Sequence, residues 1–265
     1  MFKKFLTAIV ALVAVLSIAG CKKDDGKKVA YKEATGYGIV HKDYVGMAEM
    51  TVIDGKVARV LFDEAFLPYT WAQVKVAGET VPSDVLEYTN SKGATVYNGK
   101  YIKIGDKLFT GSVREKVLVV KNVSGEDIEV ANQKVKYSAD GIDDLYTWLK
   151  ASEANCEWYV NELKAGKAYV AKQDGQKASY EFNNMGGFFK SSTNYWAAGS
   201  VGLGWAENLR ALAIAIQGTN MSTALTKIVK EEGTWKIDNT VSKATLTDFK
   251  DYYVVAQNAF KTATK

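Results

Sequence analysis

Tyr44-Val45-Gly46-Met47-Ala48-Glu49-Met50-Thr51-Val52-Ile53-Asp54-Gly55-Lys56-Val57-Ala58-Arg59-Val60-Leu61-Phe62 reads as two strands joined by a tight turn. Val45, Met47 and Glu49 alternate with Gly46, Ala48 and Met50, and Val52 continues the second set. After the turn, Val57, Arg59 and Leu61 alternate with Ala58, Val60 and Phe62. A period of two puts successive side chains on opposite faces of a sheet. Asp54-Gly55 supplies the turn, because a two-residue hairpin loop needs residues that tolerate positive φ. The stretch predicts an antiparallel hairpin.

Further strands follow. Ala94–Tyr97, Lys100–Ile104, Lys107–Phe109, Glu115–Lys121 and Asp127–Val135 are short β-rich runs, punctuated by Asn98-Gly99, Gly105-Asp106 and Ser124-Gly125. A helix is expected from about Gly141 to Leu163, with Leu145, Trp148, Leu149, Cys156 and Tyr159 on its buried faces and Gly166 closing it. Three more are expected over Ala206–Gln217, Ser222–Glu232 and Thr247–Thr262, with a short strand at Trp235–Ile237. Strands early and helices late define an α+β class: an early β-hairpin and antiparallel strands with C-terminal helices packed on the sheet. Pro68 and Pro82 are the only prolines, so no Pro-rich linker divides the chain.

The N-terminus carries an address. Lys3 and Lys4 precede an uncharged run from Phe5 to Gly20, which ends Leu16-Ser17-Ile18-Ala19-Gly20-Cys21. A basic start, an apolar stretch and small residues at its end describe a secretory signal. The run is shorter than the roughly 20 apolar residues a spanning helix needs. The segment resembles the lipobox of bacterial lipoproteins, which implies cleavage after residue 20 and lipidation of Cys21. Acyl chains contribute about 0.8 kcal/mol per buried CH₂, and two or more give stable anchoring. Residues 21–35 then read as a charged tether, and the expected location is the extracytoplasmic face of the cell membrane.

Composition narrows the chemistry. Without the leader about 245 residues remain, and loss of Lys3 and Lys4 takes the formal charge from +4 to about +2. That charge is too weak to indicate nucleic acid. Once Cys21 is lipidated, Cys156 has no cysteine to pair with, and core packing is its expected role. His41 is the only histidine, so a His-based zinc site is not expected. A Ser-His-Asp or Cys-His arrangement would have to use His41, which has no marked nucleophile nearby in sequence. No catalytic residue is assigned.

The remaining chemistry lies at the C-terminal end, in Trp235-Lys236-Ile237-Asp238-Asn239-Thr240-Val241-Ser242-Lys243-Ala244-Thr245-Leu246-Thr247-Asp248-Phe249. This segment resembles the FMN-binding domains of bacterial exported flavoproteins. Their motif is Asp, three residues, Ser or Thr, Gly, Ala, then Thr or Ser, and a flavin transferase esterifies the last hydroxyl with the FMN phosphate. Asp238, Ser242, Ala244 and Thr245 match; Lys243 stands where the family has glycine. Gly38 to Val57, with Tyr44-Val45-Gly46-Met47-Ala48 and Asp54-Gly55-Lys56, resembles that domain's opening hairpin.

The resemblance implies FMN as cofactor, held covalently at Thr245 or non-covalently, with Asp238, Ser242 and Ala244 in its site. It implies a flavin transferase and a redox partner, and an electron-transfer role at the membrane. It also implies that 36–265 form one elaborated domain, with 64–234 as a large insertion. A non-catalytic ligand-binding or structural surface lipoprotein that has lost flavin is the alternative. Helix capping also accounts for Ser, Thr and Asp near a helix start. Gly199, Gly202 and Gly204 precede the helix at Ala206 without dinucleotide-fingerprint spacing. Tyr195, Trp196 and Trp205 suit either core packing or stacking on a planar ring.

Overall fold

The predicted hairpin forms around Asp54-Gly55. In the computed structural model, which describes residues 30–265 except 91–92, 115–117, 131–134, 182–186, 194 and 197–202, β2 (Tyr44–Ile53) pairs antiparallel with β3 (Lys56–Phe66). Asp54 and Gly55 both have positive φ, 49° and 70°, which matches the turn twist to the strands. β1 (Tyr31–Val40) adds to the other edge of β2, with Tyr37 opposite Met47. The strand begins inside the expected tether: residues 31–35 pair with 49–53 and belong to the sheet. Cys21 and the leader lie outside the described residues.

Alternation gives this three-stranded sheet two apolar faces. Tyr37, Ile39, Val45, Met47 and Ala65 bury into one core, and Val40, Ala48, Met50, Val52 and Val60 into another. The sheet is therefore a partition with a layer on each side.

The first layer comes from the middle of the chain. It comprises α1 (Pro68–Trp71), β4 (Val85–Thr89) paired with β5 (Thr95–Gly99), β6 (Tyr101–Ile104), β7 (Lys107–Val113), β8 (Leu118–Lys121) paired with β9 (Asp127–Val130), and β10 (Val135–Ser138). α2 (Leu145–Ala151), α3 (Glu153–Lys164) and β11 (Ala168–Ala171) complete it, and β10-β7-β6-β11 form a four-stranded antiparallel sheet. The single helix expected over 141–163 is two. Ser152 is extended, φ −155° and ψ 152°, and its side chain accepts from Asn155 N, so it caps α3 and ends α2. Cys156 is buried here; its Sγ donates to Leu149 O at 3.1 Å, and burial pushes the thiol up to about 12.

The second layer is C-terminal. α4 (Trp205–Ile216) and α5 (Phe249–Thr264) cover the other face with a small sheet of β12 (Ile228–Glu231), β13 (Thr234–Ile237) and β14 (Thr240–Val241). The helix expected over 222–232 is absent. A 3-10 turn at Leu225–Lys227 leads into β12, which folds back on β13 across Glu232-Gly233. Both turn residues have positive φ, 49° and 81°, so this Gly makes a hairpin and not a helix end. α5 approaches β1 at Gly36, where a Cβ would stand 2.3 Å from both Ala259 N and Val255 O. Glycine is required there because backbone meets backbone. Among the described residues no helix is long and apolar enough to cross a membrane.

Candidate functional site: the cleft beside Thr245

The segment 238–245 folds as the return of the β13–β14 hairpin and the loop after it. Ser242 N donates to Trp235 O at 2.8 Å, and Trp235 N donates to Ala244 O at 3.1 Å. Lys243 between them has φ +60°. A non-glycine residue pays about 1–2 kcal/mol for that left-handed backbone. The backbone at Lys243 is thus the conformation that glycine favours, although the side chain is lysine. Ser242 is buried and its Oγ accepts from Ala244 N at 3.1 Å. Ala244 is buried outright, and Trp235 Nε1 donates to Leu246 O at 2.6 Å.

Thr245 is set by α4. Asn208 Oδ1, buried in that helix, accepts from Thr245 N at 2.7 Å, Leu246 N at 3.2 Å and Thr245 Oγ1 at 3.3 Å. Lys230 Nζ donates to Thr245 O at 3.0 Å, which brings a cation to the loop. The Thr245 residue is exposed, and it borders a cleft of about 390 Å³. Asp238, Ser242, Lys243 and Ala244 do not line that cleft. Asp238 sits exposed at the far turn of the hairpin, φ 54°, with its N–H donating to Lys227 O. Of the four motif residues, only Thr245 reaches the cleft.

The cleft walls are aromatic. Tyr195, Trp196, Trp205 and Tyr252 line it together with Leu246 and Thr247. Trp196 is half exposed at 49%, a large apolar surface left to solvent. Gly204 is the N-cap of α4, while Gly199 and Gly202 lie outside the described residues.

Beneath the cleft lies a buried charge pair. Glu64 of β3 and Lys190, from a 3-10 turn at Lys190–Ser192, meet with Nζ 2.7 Å from Oε2. Glu64 Oε1 accepts from Tyr252 OH at 2.8 Å and from Trp205 Nε1. Lys190 Nζ lies 3.5 Å from the Tyr44 ring centre and 4.0 Å from that of Tyr195. The hydroxyls of Tyr44 and Tyr195 are 3.0 Å apart. Burial first, and then the Tyr195 hydroxyl, hold the Tyr44 phenol well above its usual range.

His41 forms the opposite edge. It sits in the β1–β2 turn, and its Nδ1 lies 2.5 Å from Asp248 Oδ2. The ring stacks on Tyr44 with centres 5.8 Å apart and planes 12° from parallel. Its backbone N–H donates to Asp251 Oδ2 at 3.2 Å. The Asp248 hydrogen bond raises the imidazole above its ordinary value, against the opposing effect of burial. Burial lifts the Asp251 carboxyl to about 7 and that of Asp43 to about 6.

Comparison with known proteins finds no matching family model, curated protein or solved structure.

Sequence reasoning missed this edge of the site. His41 and Asp248 are 207 residues apart, so no local spacing joins them. Lys190 and Glu64 carry no motif either. A solitary histidine directly before a strand was the only available signal. A larger hollow of about 510 Å³ beside the α2–α3 junction holds none of the motif residues. Polar groups there satisfy each other: Glu153 Oε1 accepts from Tyr37 N at 3.0 Å, and Asn258 Nδ2 donates to Tyr37 O at 3.1 Å. The smaller cleft is the better candidate because it brings Thr245 and His41 together with four aromatic side chains, one of them half exposed.

Proposed function

We propose that this chain is an extracytoplasmic lipoprotein, anchored through Cys21, that carries FMN in the Thr245 cleft and passes electrons at the membrane face. One observation carries the reading. An exposed Thr245 borders an aromatic cleft, at the end of a loop whose Lys243 has the backbone that suits the family's glycine. Residues 36–265 would be one elaborated FMN-binding domain, with 64–234 as the elaboration.

The residues fit the group. A cleft of about 390 Å³ lies within the range of small-molecule sites. Trp196, Trp205 and Tyr195 offer faces and edges to a planar ring. Thr245 is the position for a phosphoester or for a hydrogen bond to phosphate, and Lys230 brings positive charge beside it. Ser242 and Ala244 shape the loop, and Asp238 shapes the hairpin turn. Bound FMN would supply the redox chemistry. The implied partners are a flavin transferase and a redox protein, and nucleic acid is not among them.

The second reading, a ligand-binding or structural lipoprotein without flavin, is favoured by Lys243 itself, which stands where the family has glycine. Co-expression of the full chain with a flavin transferase, followed by intact mass and absorbance, separates the two. An FMN-sized adduct that vanishes in Thr245→Val supports covalent attachment. Flavin absorbance without an adduct supports non-covalent binding. Neither signal in the natural chain sinks the flavin reading, and an adduct confined to Lys243→Gly identifies a degenerate relative of the family.

A further inference from the structure

His41 is held at one nitrogen and open at the other. Nδ1 faces Asp248 at 2.5 Å, and Nε2 has no hydrogen-bond partner among the described residues. The His41 side chain is 45% exposed and that of Asp248 15%, and of the two His41 alone borders the cleft.

Charged groups face it from every neighbouring element. Asp248 and Asp251 come from the start of α5, Lys42 and Asp43 from the turn, Glu64 from β3 and Lys190 from the 3-10 turn. The Tyr44 phenol lies under the ring. Lys190 is already neutralised by Glu64. Asp251 is tied by Ser124 Oγ at 2.9 Å and by the His41 N–H. His41 is left as the cleft group that is both accessible to water and able to change charge near neutrality.

We infer that His41 is the proton-holding residue of this cleft: Asp248 orients it, and it takes up a proton from water when negative charge is placed on the ring bound beside it. The inference rests on the flavin reading. Reduction of a flavin to its anionic form leaves the ring one unit more negative, and an opposite charge within reach of an imidazole favours its charged form. His41 acts by compensating charge and is a positioning residue. No bond to the flavin is invoked.

The test uses the chain's single histidine, whose ¹H–¹³C imidazole signal is unambiguous. The mature lipoprotein in detergent, labelled at histidine, is titrated without flavin, loaded and oxidised, and loaded and reduced with dithionite. The expected midpoint without flavin lies above about 6.5. It moves up by about half to one pH unit on reduction. Asp248→Asn lowers the flavin-free midpoint by about one unit. A preparation without flavin absorbance overturns the flavin reading and this inference together. Flavin present, with the same His41 midpoint in both redox states, overturns this inference alone, as does a flavin-free midpoint at or below about 6.5. If Asp248→Asn does not fold, the two redox states of the natural chain decide the matter.

Discussion

Lys190 Nζ lies 2.7 Å from Glu64 Oε2, and the two side chains are 1% and 0% exposed. Both charges have left water, so each depends on the other. Removing one partner of such a pair typically costs about 3–5 kcal/mol, because an uncompensated charge stays buried. Lys190→Met and Glu64→Gln are each expected to lower stability by that order. Lys190→Met with Glu64→Gln should recover part of the loss, since the amide still accepts from Tyr252 and Trp205. Urea unfolding of the three variants checks this. Single-variant losses that simply add in the double variant would refute the coupling.

Gly36 marks where α5 touches β1 backbone to backbone. A methyl there would stand 2.3 Å from Ala259 N and Val255 O, which cannot rotate away. Gly36→Ala is expected to cost about 3 kcal/mol or more, at the upper end of overpacking. Gly55→Ala meets nothing within 4 Å and pays only for its φ of 70°, about 1–2 kcal/mol. Equal melting temperatures for the two variants would refute this account of α5 docking.

Asn208 holds the Thr245 loop from α4 through one oxygen that accepts three donors. Asn208→Ala leaves the N–H of Leu246 buried without an acceptor, at about 1–3 kcal/mol. Faster hydrogen exchange at Thr245 and Leu246 should accompany the loss, while exchange in β6 and β7 stays as before. Protection unchanged at 245–246 would show that another contact holds the loop.

Asp251 sets a pH trend. Its carboxyl ionises near 7 in the fold, against an ordinary 3.8, because burial disfavours the charge. The folded chain therefore holds the proton more tightly than the unfolded one. That contribution is complete below about pH 4 and is lost as pH rises to about 7. Asp43, lifted to about 6, has the same sign, and so does the raised His41 above its ordinary value. Stability should fall between pH 5 and 8, with Asp251 contributing on the order of 2 kcal/mol. Asp251→Asn should flatten the fall. Urea midpoints at three pH values measure it, and a midpoint that rises with pH contradicts it.

Cys21 should carry the anchor. Cys21→Ala is expected to abolish incorporation of labelled palmitate and to release the chain from the membrane fraction. Retention of the variant in that fraction would count against lipid anchoring.

Local rules were strong where neighbours in sequence are neighbours in space. The alternation around Asp54-Gly55 specifies a hairpin, and the apolar run at 206–217 specifies α4, because each is decided within a few residues. Those rules failed at Ser152, where a cap ends one helix and starts another, and at Glu232-Gly233, where a glycine that reads as a helix end makes a turn. A side-chain cap at Ser152, and strand pairing across the turn at Glu232-Gly233, outweighed helical preference.

The site divides in the same way. Thr245 and its motif neighbours were legible because they lie within eight positions of one another. His41, Glu64, Lys190 and Trp205 come from four separate segments, and nothing in their spacing links them. The sequence by itself determined the α+β class, the early hairpin and the candidacy of Thr245. Only the tertiary structure decided that Thr245 alone of its motif opens on a cleft, and that a histidine, a buried ion pair and four aromatic side chains surround it. The physical reason is that periodicity and turn chemistry act along the chain. Charge pairing and ring packing act through space, once two layers have closed on the central sheet.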